Sequence, residues 1–398
     1  MDLAKKINIG TIAASHGVNS FYIIFLIPIL PVIAKDFELN YVEVGLIASV
    51  YAFANGVFQL PISFLGDYMG RWRSVLAVSF LVQAGGVFLY GLAPTYPIFL
   101  AFVFLSGLGC SAYHPPAIAI ITRESPAQRG FMMGIFVGGG DVGSIITPTL
   151  VGWLTVYLSS WRLAAHWSLI AGIVMALIIW WRFEDVQRDK RPIKQAARAT
   201  LRAFLDNTPL LLLVLLSTFR ITGFRGLMTF LPLLLAQSFG FDTHGIGWTM
   251  SAFFVIGMVM TVIIGKLSDS GSKTKYIIVL TLMCGLSLVT LSWADTVPGV
   301  LAAIAAVGFF LAPVPSLVLA VGTELVEERH RASAVGLVYA CNEGASTLSP
   351  LIGGLVAEAF GLRFSFLFYA LLFLAATAIA LILHRVGGRL KTAEERGA

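Results

Sequence analysis

Long runs of apolar residues, each closed by a short polar or charged stretch, set the rhythm of this chain. A helix that crosses a bilayer needs about 20 mostly apolar residues. Twelve stretches fit, near 7–33, 43–65, 73–92, 97–122, 131–157, 163–182, 209–236, 245–266, 276–293, 298–323, 332–358 and 364–384. None alternates apolar and polar residues with a period of two, so the pattern predicts helices and not the strands of a membrane barrel. The expected fold is an all-α membrane protein with twelve spanning helices, here spans 1 to 12. The first run follows Lys5 and Lys6 as a signal peptide would. It is too long for that and lacks a clear small-residue cleavage site, so it reads as a retained span 1.

One long polar stretch, 183–208, follows span 6 and suggests three parts: a six-helix bundle at 1–182, a cytoplasmic linker, and a second bundle with a short cytoplasmic tail at 209–398. The linker's mixed charges suit a surface segment or an interfacial helix, with no chemistry assigned to it.

Composition strengthens the membrane reading. Of 398 residues, 58% are hydrophobic and 12% charged, and the mean hydropathy is +0.86. A soluble chain carries about a quarter charged residues, so lipid must be the solvent for much of this surface. The net charge of +6 does not point to nucleic acid, because of where the 27 Lys and Arg fall. Lys5, Lys6, Arg71, Arg73, Lys273 and Lys275 lie in the N-terminus and alternate short loops, and more basic residues fill the linker and the tail. The opposite loops carry little beyond Lys35, Arg162 and Arg363. Positive loops stay in the cytoplasm, so both termini are expected there, in a cytoplasmic (inner) membrane.

The two halves repeat. An offset of 202 residues superposes Asp67 on Asp269, Arg71 on Lys273, Gly134 on Gly336, Asp141 on Glu343 and Pro148 on Pro350. With six spans per half, the halves run the same way through the membrane, and a substrate site belongs near the midplane between them.

The loop after span 2 reads Ser63-Phe-Leu-Gly-Asp67-Tyr-Met-Gly70-Arg71-Trp-Arg73, and its repeat contains Asp269 and Lys273. It resembles the G-x-x-x-D-x-x-G-R-R/K signature of the major facilitator superfamily, departing from it at Ser63, Tyr68 and Trp72. That resemblance implies a gating latch in which the carboxylate holds nearby cations and releases them; the alternative is that the cations set topology and Asp67 caps a helix. Span 5 carries Gly134, Gly143, Thr147-Pro148 and Gly152, similar to the superfamily's antiporter signature, and span 11 repeats its end as Pro350, Gly353 and Gly354. Such residues allow close helix approach and a bend. Ser15-His16 with Asn19, Ser111-Ala-Tyr113-His114-Pro115 and Gly139-Gly140-Asp141 further resemble the fosmidomycin-resistance family of drug exporters, which often has an amide where Asp141 stands.

Ionisable groups at membrane depth are costly and mark function by default. The resemblance implies that spans 1, 4, 7 and 10 line a central cavity, which makes His16, Asn19, Tyr113, His114, Arg220 and Arg225 the candidate substrate-binding residues. A shift of 201 pairs Asn19 with Arg220. A guanidinium there suits a carboxylate, phosphate or phosphonate, or else pairs with an internal carboxylate. Asp141 and Glu343 are the candidate proton-coupling pair; the alternative is structural charge pairing. His166 reads as structural. Cys110, Cys284 and Cys341 fall inside spans and give neither a disulfide framework nor metal-ligand spacing, so no metal or cofactor is expected.

The function these features imply is proton-coupled export of a small organic anion or drug by alternating access, with a monomer in the lipid bilayer and protons and a small solute as partners. The alternative is a symporter or facilitator for uptake of an organic anion. An intramembrane aspartyl protease would need a second aspartate where the repeat supplies Glu343, and the phosphate loop G-x-x-x-x-G-K-S/T of an ATP-driven pump is missing.

Overall fold

The structure, a computed structural model, describes residues 3–124, 129–185, 207–326, 338 and 341–397. Eleven segments in it are long and apolar enough to cross a membrane, among the described residues. Span 1 is α1 (Leu3–Ile24), a tight turn at Ile27–Ile29 holding Pro28, and α2 (Leu30–Asp36). Span 2 is α3 (Tyr41–Met69) and span 3 is α4 (Trp72–Tyr90). Span 4 breaks into α5 (Tyr96–Ser111) and α6 (His114–Glu124). Spans 5 and 6 are α7 (Arg129–Tyr157) and α8 (Trp161–Arg182).

The second half repeats this order. Spans 7, 8 and 9 are α9 (Thr208–Phe239), α10 (Thr243–Ser268) and α11 (Lys273–Trp293). Span 10 breaks into α12 (Val297–Leu311) and α13 (Val314–Glu324). The early part of span 11, 332–340, lies outside the described residues except for Val338, which is helical. Residues 341–346 are helical, and α14 (Ser349–Phe360) completes the span. Span 12 opens α15 (Leu362–Gly397).

Local chemistry explains the boundaries. Pro115-Pro116 and Pro313-Val314-Pro315 remove backbone donors at equivalent places, so spans 4 and 10 are each broken there. Asn40 and Glu43 form a reciprocal cap on α3, each side chain accepting the other residue's amide at 2.9 Å. The matching residue of the repeat, Asp242, caps α10 by accepting from the Gly245 amide at 2.7 Å.

The described residues group into two compact units. Met1–Lys190 with Leu231–Ala252 forms one, and Arg191–Phe230 with Phe253–Ala398 the other. In the first, α1 packs along α7 and α4 along α8. The second is built on α11 against α15, with a buried cluster that includes Leu213, Leu280, Val318 and Ala376.

Candidate functional site

In the first unit the candidate residues meet where α1, the α5–α6 break and α7 converge. His16 is half-buried on α1, and its Nδ1 lies 2.7 Å from the carbonyl oxygen of Phe136. A carbonyl only accepts, so Nδ1 carries the proton and Nε2 is the nitrogen left to bind another group. The imidazole stacks on Phe136 at 4.1 Å between centroids and meets His114 edge-on at 5.5 Å. Ser15 and Tyr113 share a hydrogen bond of 2.9 Å, and the Cys110 thiol donates to Asn19 Oδ1 at 3.7 Å. Asn19 and Tyr113 are fully buried, whereas His16, His114 and Asp141 are only partly so. Asp141 hydrogen-bonds or ion-pairs with no group among the described residues.

In the second unit Arg225 of α9 forms an ion pair with Glu343, through Nη2 and Oε2, and both side chains are about one-fifth exposed. Beside it Asn342 donates to the Ser217 hydroxyl at 2.9 Å. Arg220 is buried, 6% exposed, within electrostatic reach of the Cys284 thiol on α11.

The repeat connects these two descriptions. On α1, the His16 ring fills the space above Gly140 so closely that a Cβ there would strike it. Ser217 and Asn342 stand at the equivalent positions and hydrogen-bond instead. A large residue against glycine in one half becomes a small residue against an amide in the other. Asn19 and Arg220, matched by the repeat, are both buried.

The loops after spans 2 and 8 hold the residues expected to form a latch. Gly70 has φ of 63°, a left-handed conformation that glycine adopts without strain. The Asp67 side chain lies outside what the structure describes. Arg71 and Asp269 are exposed. Arg73 pairs with Asp185, a linker residue, at 3.6 Å and lies 4.3 Å over the Trp180 ring. Asp185 also accepts from the Arg73 amide at 2.8 Å and the Ser74 hydroxyl at 2.7 Å, so it caps α4 from across the chain. Lys273 pairs with Glu324 at 2.8 Å. The sequence reading assigns no role to Asp185 or Glu324; the only signal is an acidic residue at the C-terminal end of spans 6 and 10. The rest of the linker, 186–206, lies outside the described residues.

Of the residues expected to pack helices together, Gly143 lies against the Gly17 backbone, while Gly134 borders open space and makes no such contact among the described residues. Pro148 sits inside α7 with its carbonyl against Gly247, and Gly152 faces the Thr243 carbonyl. Pro350 opens α14, Gly353 lies against the Tyr369 hydroxyl, and Gly354 is buried.

Membrane-length helices, two repeated halves and ionisable groups at matched positions in both define a helical membrane transporter. The family model described as Major Facilitator Superfamily matches residues 12–234 and 213–397, and the chain belongs to that superfamily. It is 26% identical over 364 residues to the Fosmidomycin resistance protein of Escherichia coli (strain K12), covering 88% of this chain and 86% of that one. Over 158 residues it is 28% identical to the cyanate transport protein CynX of the same organism, covering 38% of this chain and 39% of CynX. An efflux pump of Aspergillus niger, aunC, is 28% identical over 234 residues, 56% of this chain and 39% of the pump. The fold is similar to that of a bacterial homolog of the human lysosomal transporter Spinster, in its inward-facing and occupied conformation. The TM-score is 0.83 at 18% identity, covering 97% of this chain and 98% of that one. The nucleoside transporter NupG gives 0.78 at 12% identity, over 95% of this chain and 99% of NupG.

Proposed function

We propose that this chain exports a small organic anion or drug from the cytoplasm in exchange for protons. It works as a monomer by alternating access between bundles 1–182 and 209–398, with both termini in the cytoplasm. The observation that carries the reading is Asp141, a carboxylate within a spanning helix with no partner among the described residues. Such a group is stable when protonated or when covered by a ligand. Proton and solute then exclude each other at one site, which is the condition for exchange. Relatives named for fosmidomycin resistance and for efflux support the outward direction. His16 would offer Nε2 to the solute or proton, Arg220 and Arg225 would attract an anionic group, and Asn19, Tyr113 and His114 would shape the surroundings.

The Arg225–Glu343 pair favours a second reading, uptake of an organic anion with protons. An anion that takes Arg225 strips Glu343 of its counter-charge, and Glu343 then binds a proton. Anion and proton load together, which is cotransport.

Proteoliposomes with an imposed pH gradient separate the two, with fosmidomycin as the first solute and a panel of anionic antibiotics and metabolites after it. Exchange predicts uptake driven by an acidic lumen, and cotransport predicts uptake driven by an acidic exterior. Asp141→Asn is expected to lose gradient-driven flux and keep solute–solute exchange. Accumulation that requires an acidic exterior overturns the export reading, and unchanged gradient-driven flux in Asp141→Asn removes Asp141 from coupling.

A further inference from the structure

Asparagine and glutamine amides carry both donors and an acceptor, and where bulk water is excluded all of them need partners. Two amides inside the first unit fall short of this. Gln83 of α4 and Asn19 of α1 are fully buried, each 0% exposed. Neither polar atom of the Gln83 side chain has a hydrogen-bond partner among the described residues, and Asn19 Nδ2 has none either. Asn19 Oδ1 is satisfied, because it accepts from the Cys110 thiol at 3.7 Å. Three amide atoms are therefore left over at membrane depth, and the transport reading gives Gln83 no part.

The two side chains belong to one level of the bundle. Helix α5 touches both of them at neighbouring positions. A Cβ built on Gly109 would meet the backbone nitrogen and the side-chain Cγ of Gln83, and the next residue, Cys110, is the one that donates to Asn19. Contacts on either side fix the register. On one side the Phe80 ring of α4 meets Tyr113 edge-on at 5.5 Å, and the Tyr113 hydroxyl lies 2.9 Å from Ser15 of α1. On the other, a Cβ on Gly172 would strike both Ala84 of α4 and the Tyr22 hydroxyl of α1. Spans 1 and 3 run in the same direction, so Gln83 and Asn19 fall together between these two levels. They face the same junction of α1, α4 and α5 without bonding to each other.

We propose that this junction is a binding site for one buried water molecule that bridges Asn19 and Gln83. The chemistry of the three atoms selects the ligand. A cation would meet the N–H groups of two amides, and an anion would meet the Gln83 carbonyl oxygen. Water alone does both jobs: it accepts an N–H from each amide and donates to Gln83 Oε1. Three such bonds are what a buried water typically makes. The bridge ties α1, one turn beyond His16, to the α4–α5 pair.

The test is an experimental structure of the full-length protein at a resolution that shows ordered solvent. A density peak within hydrogen-bond distance of both side chains is expected. A direct hydrogen bond between the two amides, or no density between them, overturns the proposal. Substitution reads the same bridge in detergent solution. Gln83→Met keeps the length of the side chain and Asn19→Leu its branching, and each removes the polar atoms. Each single variant is expected to unfold a few degrees below the parent, because it strands the amide that remains. Asn19→Leu also loses the Cys110 contact, so the coupling between the two changes is the quantity that decides. The double variant is expected to unfold above the temperature that the two single shifts add up to. Gln83→Met unfolding at or above the parental temperature would mean that Gln83 holds nothing, and additive shifts would mean that the amides share no ligand. Either result overturns the proposal, and the density decides if a variant is not recovered folded.

Discussion

Arg225 and Glu343 hold opposite charges inside the same unit, and each is the other's counter-charge within the membrane. Removing one partner of a buried pair leaves an uncompensated charge and costs about 3–5 kcal/mol; at one-fifth exposure the lower end applies. The two partners are not equivalent. Glu343 without Arg225 can shed its charge by taking a proton, whereas a guanidinium without its carboxylate stays charged. Glu343→Gln is therefore expected to lower the unfolding temperature in detergent more than Arg225→Gln. The Arg225→Gln deficit should shrink as the pH falls, and the double variant should recover part of the loss. Parental unfolding temperatures in both single variants would show that the pair adds nothing to the fold, and equal deficits would refute the asymmetry between the partners. Arg220 poses a different question because it is buried beside Cys284. A hydrogen bond to a charged group is worth about 1.5–3 kcal/mol. If Arg220 binds an anionic solute, Arg220→Gln should weaken affinity roughly ten- to a hundredfold while the protein stays folded, and Arg220→Lys should recover part of it. A structural role predicts instead a lowered unfolding temperature with parental affinity in the molecules that remain folded.

Helices carry the clearest record of the duplication. Apolar runs and the 202-residue offset were enough to place the spans, whereas the breaks in spans 4 and 10 were not read from the sequence, although prolines stand at both. The contacts between helices were less legible, because equivalent positions use different chemistry. His16 over Gly140 and Ser217 on Asn342 share no residue type, so no motif announces them. Asp185 was invisible for a related reason: an acidic residue in a basic linker has no periodicity, and only the fold-back onto α4 gives it a partner. The His16–Gly140 contact makes a direct test. Gly140→Asn should destabilise the protein by about 1–3 kcal/mol through overpacking. Adding His16→Ser should restore stability by copying the second half, as read by thermal unfolding. Transport by the folded double variant then shows whether His16 does more than fill space. The antiporter-like glycines divide in the same way. Gly143→Leu must collide with the Gly17 backbone and should abolish recovery of folded protein, whereas Gly134→Leu enters open space and should be recovered at parental yield. Similar yields for both would mean that α1 and α7 do not pack as described.

For the whole molecule, the boundary of the compact units is informative. Sequence assigns 231–252 to the second half, yet by contact this segment belongs with the first unit. What holds it there is close backbone packing and a short polar chain. Gly247 lies against the Pro148 carbonyl, the Tyr41 hydroxyl donates to Gln237 at 2.8 Å, and the Thr149 and Ser251 hydroxyls are 2.7 Å apart. The Ser251 hydroxyl passes its own proton on to the Ile145 carbonyl. Neutral hydrogen bonds of this kind have a net worth of about 1 kcal/mol each, enough to hold a conformation and weak enough to break in every cycle. If the proposed alternating access is correct, α7 and the first turns of α10 must separate once per turnover. Thr149→Cys with Ser251→Cys places two thiols where the hydroxyls now touch, and oxidation should join them. Flux in proteoliposomes is then expected to fall to background on oxidation and return on reduction. Each single variant serves as the control for the native thiols, of which Cys110 and Cys284 are buried and Cys341 is half-buried. Full cross-linking with parental flux would mean that this contact stays closed throughout the cycle, and the opening would then have to be sought elsewhere in the protein.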